Sequence, residues 1–223
     1  MDRGTVSNVS AAEPVPRRLR ADARLNQDRV LEAAAAMFAR TGADTSMKAV
    51  AREAGVGIAT LYRRFPTREA LVEAVYRNET TTLAESATGM LAHSTPPVAL
   101  RTWFRAFLTY MSTKNGMAEA LPAILADRDG LRLHSRDVLR TAIAQILDAG
   151  AADGSLRDDL DPDDVMMAIG GVALIAAHER EPDLGTRLSQ FLIDAFATGQ
   201  VGVRPRQAPP RSEPESGRAW RSP

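Results

Sequence analysis

Apolar residues along this chain recur at intervals of three and four, and no alternating run rich in Val, Ile and Thr interrupts them. Nearly every segment between residues 25 and 199 therefore reads as helix, and the expected fold class is all-α. A first helix is capped by Asn26, carries Val30, Leu31, Ala34, Met37 and Phe38 on its apolar face, and ends at Gly42, where a left-handed residue is needed. Ser46, or Thr45, caps a second helix with Met47, Val50, Ala51 and Ala54 at i, i+3, i+4 and i+7, ended by Gly55. Two turns of helix are marginal alone in water, so neighbours must hold this one. Gly55-Val56-Gly57 makes a tight turn, a third short helix runs from about Ile58 to Phe65, and Pro66 stops it. Thr67 caps a fourth helix with Leu71, Val72 and Val75 as its buried stripe. Two short helices joined by a glycine-bearing turn, after a longer helix, make a helix-turn-helix over residues 25–77.

The same periodicity divides residues 80–199. Pro96-Pro97 starts a helix bearing Leu100, Trp103, Phe104, Phe107, Leu108 and Met111, the densest aromatic cluster in a chain only 5% aromatic. With Met90, Met117, Leu121, Leu125, Leu139 and Ile143 this cluster can wall an apolar effector pocket between helices; the alternative is that these residues simply fill a core. Asp161-Pro162, a cap followed by a first-turn proline, opens a helix to about His178. Its circumference is mostly apolar, which predicts burial. Gly170-Gly171 in its middle costs about 1 kcal/mol per glycine relative to alanine, a loss best explained by close packing of another helix. After Pro182 a last helix gathers Leu184, Leu188, Phe191, Leu192, Ala195 and Phe196 in one stripe.

Composition narrows the chemistry. The 223 residues are 44% hydrophobic and 25% charged, enough for one fair-sized core or two small ones. The absence of cysteine excludes disulfides, Cys-based zinc sites, iron–sulfur clusters and a thiol nucleophile. His93, His134 and His178 lie far apart, so neither a metal nor a cofactor is expected. The longest apolar stretch, Val165 to Ala177, is short of the roughly 18 residues that span a bilayer. No apolar leader precedes Arg17, so a soluble, cytoplasmic protein without a membrane partner is expected. Residues 1–24 and 202–223 mix Gly, Ser, Pro and charge without period and read as disordered. The first of these carries Arg17, Arg18, Arg20 and Arg24, either a basic arm able to enter the DNA minor groove or a solubilising tail.

Net charge is zero over the chain but not by segment. Arg17 to Arg77 holds 12 Lys and Arg against 7 Asp and Glu, whereas Ala118 to Glu181 holds 6 against 13. An N-terminal part that meets a polyanion fits that split. In the third helix only Leu61 and Phe65 are needed as anchors, which leaves Ala59, Thr60, Tyr62, Arg63 and Arg64 on or near the outer face. Small side chains admit the backbone to base edges, Arg pairs with guanine, and Thr, Tyr and Arg reach phosphates. The alternative is that Tyr62 half-packs on the first helix while the arginines solvate a face.

Asn26 to Arg77 as a unit resembles the TetR family of one-component transcriptional regulators. The resemblance rests on Ala33 to Phe38 and Gly42, on Ala51, Ala54, Gly55 and Val56, and above all on Thr60-Leu61-Tyr62 followed by Phe65-Pro66-Thr67-Arg68-Glu69-Ala70-Leu71. It implies that Tyr62 contacts a phosphate and that Ile58, Ala59, Thr60, Arg63 and Arg64 lie in or beside the major groove. It also implies that Ser46, Met47 and Lys48 meet the DNA backbone, and that Arg68 holds a phosphate at the start of helix four. The position before Phe65 is often His or Tyr in the family and is Arg64 here, which leaves open whether it grips phosphate or reaches a base. Beyond about residue 80 the resemblance is to an architecture: a helical domain that binds an effector and dimerises.

On that resemblance the last two helices are the pair that joins a two-fold mate in a four-helix bundle, through Val165, Ile169, Gly170, Gly171, Leu188, Phe191, Leu192 and Phe196. The function implied is a homodimeric repressor, released from a palindromic double-stranded DNA operator by an apolar or aromatic small molecule. A DNA-bound activator or structural protein without an effector is the alternative. An enzyme is not expected: there is no phosphate loop or metal cluster, and Gly55-Val56-Gly57 is no dinucleotide fingerprint, because Thr60 takes the third glycine position and no strand precedes it.

Overall fold

Helix α1 (Arg17–Thr41) opens well upstream of Asn26. Residues 17–25 are Arg, Leu and Ala with a single Asp and no Gly or Pro, so nothing stops the helix from extending backwards through strong helix formers. Residues 17–24 are thus the first turns of α1 and not a disordered arm. The computed structural model describes residues 17–127, 129–179 and 183–198; the disorder expected of residues 1–16 and of the 202–223 tail falls outside them.

After α1 a short 3-10 turn (Gly42–Asp44) leads into α2 (Met47–Glu53), α3 (Ile58–Arg64) and α4 (Arg68–His93). Ser46 is the cap of α2, its Oγ accepting from the Ala49 amide at 3.2 Å. Thr45 has a different place: it is buried, and its hydroxyl meets Thr41 Oγ1 at 2.7 Å and the Met37 carbonyl at 3.3 Å. Thr67 caps α4 by accepting from the Ala70 amide at 3.1 Å. Val30, Leu31, Ala34 and Phe38 of α1, Val50 and Ala51 of α2, Leu61 of α3 and Leu71, Val72 and Val75 of α4 make one buried cluster. None of the short helices could bury enough surface alone, so each is held by this shared core.

The expected division between residues 77 and 80 falls in the middle of α4, which runs unbroken for 26 residues. It packs on α1, on α5 (Pro96–Gly116) and on α7 (Asp129–Ala152), with Leu83 and Ala87 buried in its second half. The short α6 (Leu121–Asp127) lies between α5 and α7, and α8 (Pro162–Glu179) and α9 (Leu184–Phe196) complete the bundle. The cap expected at Asp161 is present: Oδ1 accepts from the amides of Asp163 and Asp164 at 2.7 and 3.3 Å. An isolated bridge between Leu156 and Ala197 ties the end of α9 to the connection before α8. Among the described residues there is no strand, and no helix long and apolar enough to cross a membrane.

The burial expected for α8 is only half realised. Val165, Ile169, Val172 and Ala173 are in the core, while Met167, Leu174 and Ile175 are exposed. No described residue lies within 4 Å of where a Cβ would sit at Gly170 or Gly171, so among the described residues no helix packs closely there. Close approach occurs instead at Gly116, where an added Cβ would come 1.9 Å from the Phe38 carbonyl oxygen of α1.

Candidate nucleic-acid interface and ligand cavity

Leu61 is the single buried residue of α3, and Phe65 just beyond it is buried too. One turn apart, they fix the helix as a lever with its opposite face turned outward. Ile58, Ala59, Thr60, Tyr62, Arg63 and Arg64 are all exposed, Tyr62 at 47%. The turn before α3 depends on Gly55 at φ +67°, a backbone conformation that favours glycine. Arg29 of α1 reinforces it by donating from Nη2 to the Ala54 carbonyl at 2.9 Å, placing a guanidinium at the C-terminal end of α2. Nothing in the local spacing marks Arg29, because its partner is 25 residues away.

The expected backbone contacts sort into different environments. Ser46 and Lys48 are exposed at the start of α2, beside α3. Met47 is buried in the core, since the i, i+3, i+4 stripe of α2 begins with it; its side chain is structural. Arg64 is exposed but donates from Nη2 to Gln27 Oε1 of α1. Arg68 is the clearest departure. Its guanidinium donates to the Ala43 carbonyl at 3.1 Å and the Thr45 carbonyl at 3.4 Å, lies 5.6 Å from the Phe38 ring centroid, and approaches Glu119 at 4.0 Å. It stitches the turn after α1 to α4 and to the segment after α5. Glu69 beside it has its carboxyl held below the ordinary range by its own backbone amide and the Thr67 hydroxyl.

The aromatic residues expected to wall a pocket are mostly core. Trp103, Phe104 and Ile143 have no exposed surface, and the Trp103 indole N–H donates to the Leu83 carbonyl at 3.1 Å. Trp103 stacks on Phe107 at 5.6 Å, and Phe107 meets Tyr110 at 5.8 Å. Space begins beyond Phe107. A cavity of about 300 Å³ is lined by Tyr76 of α4, Phe107, Tyr110, Met111 and Lys114 of α5, residues of α7 including Arg132, Ser135, Arg136 and Leu139, and Met166 of α8. A second, of about 430 Å³, lies between α5, α6 and α7 and includes Leu121, Pro122 and Leu125. Met117 is buried and lines neither. A larger cleft of about 800 Å³ separates α1 from α5, α8 and α9, but its walls are largely Ala, Gly and short polar side chains. Of the three, the 300 Å³ cavity combines large apolar surfaces with convergent polar groups.

The residues expected at a subunit interface divide between core and surface. Val165 and Ile169 are buried within the chain, and Leu188, Leu192 and Phe196 are half-buried. Phe191 is 72% exposed and Met167 68%. Leu174 and Ile175 are exposed as well, and with the glycine pair these are apolar positions on α8 and α9 that no described residue covers. Sequence reading missed Met167, Leu174 and Ile175, although their i, i+7 and i+8 spacing puts them on one side of α8.

Comparison with known proteins agrees with this architecture. Residues 30–75 match the bacterial regulatory proteins of the tetR family, and residues 95–197 match the C-terminal domain of SbtR-like transcriptional regulators. No curated protein matches the chain. Among solved structures, a TetR transcriptional regulator from Streptomyces coelicolor is 41% identical with a TM-score of 0.70, over 77% of this chain and 98% of that one. A TetR transcription regulatory protein from Mycobacterium vanbaalenii is 28% identical with a TM-score of 0.66, over 80% and 99%. Reduced NemR from E. coli, at 13% identity, 0.60, and 78% and 98% coverage, shares the fold. Helix-turn-helix unit, α4 continuous into a helical domain, and 41% identity across nearly the whole of a solved relative lead to one assignment: the chain belongs to the TetR family of bacterial transcriptional regulators.

Proposed function

We propose that this regulator binds a palindromic operator as a homodimer and represses until a small molecule occupies the cavity between α4, α5, α7 and α8. The observation that carries the DNA-binding part is α3: two buried anchors and an exposed face of Ile58, Ala59, Thr60, Tyr62 and Arg63. Ala59 and Thr60 are small enough for the helix to enter the major groove, and Arg63 can pair with a guanine edge. Ser46 still has its hydroxyl proton to donate after accepting from Ala49, so with Lys48 and Tyr62 it can hold phosphates on either side of the groove. Arg64, shared with Gln27, extends that row. Arg68 supports the site from behind, and no phosphate role is assigned to it.

The dimer is supported by the uncovered apolar face of α8 and α9, and a second copy of this chain is the occupant we assign. An isologous contact brings Gly170 and Gly171 against their counterparts, which accounts for two glycines that no neighbour among the described residues requires. Regulation is supported by the place of the cavity. Lys114 on its wall is two residues from Gly116, whose backbone abuts Phe38 of α1, so a change in the last turn of α5 reaches the DNA-binding unit directly. Selecting genomic fragments bound by the purified protein, then titrating the selected duplex with Tyr62→Phe and Arg63→Ala, tests the operator-binding reading. A selected palindrome and weaker binding by both variants are expected; fragments without a common site would reject it.

A further inference from the structure

The two cavities of about 300 and 430 Å³ meet at a pair of cations: Lys114 of α5 and Arg132 of α7 line both. Neither side chain has an ion-pair partner among the described residues. The third cation on the wall, Arg136, is already committed, donating to Asp163 Oδ1 at 3.1 Å while Arg140 takes Oδ2 at 3.0 Å. Among the described residues no Asp or Glu lines either cavity. Arg132 lies in a segment, Ala118 to Glu181, where acids outnumber bases 13 to 6, and Lys114 stands just before it, so unpaired positive charge at a cavity is contrary to the sequence around it. Next to the cations the wall is apolar and aromatic: Phe107, Tyr110, Met111 and Leu139 on one side, Leu121 and Leu125 on the other.

We infer that the ligand is an organic monoanion, a carboxylate seated between Lys114 and Arg132 with an apolar or aromatic body lying over Phe107 and Leu139 or over Leu121 and Leu125. This rests on the reading that the cavity regulates DNA binding, and it replaces a purely apolar effector by an amphipathic one. An anionic group leaving water needs charged donors to meet it, and an ammonium with an arginine fork supplies them. The apolar walls then reward an organic body over an inorganic anion. The Tyr110 phenol adds no opposing charge: burial pushes its ionisation upward, so it stays neutral. A cationic ligand would face two unpaired cations and is excluded by the same charges.

The test uses the full chain with octanoate and cinnamate, and the uncharged octanamide and cinnamamide as partners of matched shape, by calorimetric titration at pH 7. At least one acid should bind about tenfold or more tightly than its amide. Lys114→Gln and Arg132→Gln should weaken acid binding by a similar factor and amide binding far less, and Arg132→Lys should restore part of the loss. Equal binding of acid and amide, unchanged acid affinity in both variants, or no acid binding at millimolar concentration would each overturn the anion site. Operator titrations run beside these separate the two levels. Selective acid binding that leaves operator affinity untouched keeps the anion site and removes its regulatory role. Operator release by the amides alone keeps the regulatory role and removes the anion site.

Discussion

Arg63 and Arg68 belong to the same helix-turn-helix unit, yet their surroundings give them opposite tasks. Arg63 is exposed without a partner among the described residues, whereas Arg68 bonds two backbone carbonyls and lies over Phe38. Arg68→Ala should therefore lower unfolding stability by about 1–3 kcal/mol, read by urea denaturation, since charge-assisted bonds to partly buried carbonyls are lost. Arg63→Ala should leave the urea midpoint unchanged and cost about 1–3 kcal/mol of operator affinity at one base position. An equal stability loss in both would show that Arg63 also packs. Trp103, buried with its N–H satisfied, belongs with Arg68: Trp103→Ala should cost about 3–5 kcal/mol of stability and so cannot report on ligand sensing. Glu79 is a third case. Half-buried on α4 near Glu32, it has its carboxyl raised above the ordinary 4.5, chiefly by burial. A raised acid binds more protons folded than unfolded, so its contribution is fully present below pH 4.5 and declines as pH rises through the folded value. Glu79→Gln should raise the urea midpoint at pH 7 relative to wild type and leave it nearly level at pH 4.

Two glycines make the same distinction at the scale of helices. Gly116 is where α5 touches α1, and Gly116→Ala forces a methyl group into the Phe38 carbonyl; thermal denaturation should show a marked loss, because two backbones must separate. Gly171 meets nothing, so Gly171→Leu should leave the single chain's fold intact, even favour α8, and obstruct only a second copy. Sedimentation velocity should then find a folded monomer where wild type is a dimer. A dimeric Gly171→Leu would place the interface elsewhere. Periodicity made the helices legible, because burial of one stripe per helix is local information: Val50, Ala51 and Leu61 lie where their spacing puts them. What it could not supply was which stripe meets which neighbour. The Gly170-Gly171 pair signalled close packing of another helix without saying whose, while the close approach at Gly116 carries no local signature. Phe107 and Trp103 share one α5 stripe, yet only Phe107 borders space. The outward face of α3 was readable because it needed just two anchors; the inward turn of Arg68 was not, since its carbonyl partners are 23 and 25 residues away.

For the whole molecule, affinity for DNA depends on geometry that a single chain does not contain. Two α3 helices read successive major grooves only if they sit about 34–36 Å apart, a spacing that the proposed α8 and α9 interface would set. Counterion release measures how many phosphates are engaged at once: the slope of log affinity against log salt is about −0.9 per phosphate neutralised on duplex DNA. In the proposed dimer each subunit contributes Lys48 and Arg64 to that count, and both sets act together. Gly171→Leu touches none of these residues. If it separates the subunits, each chain engages half a site, so operator affinity should drop by orders of magnitude while the salt slope falls to about half. Lys48→Gln in an intact dimer should behave differently, shifting the slope by about two phosphates, one per subunit, with the palindrome still preferred. Fluorescence anisotropy with the selected duplex between about 50 and 200 mM salt separates these outcomes. Wild-type affinity and slope in a monomeric Gly171→Leu would mean that one subunit suffices, and the two-fold reading of the operator would have to be abandoned.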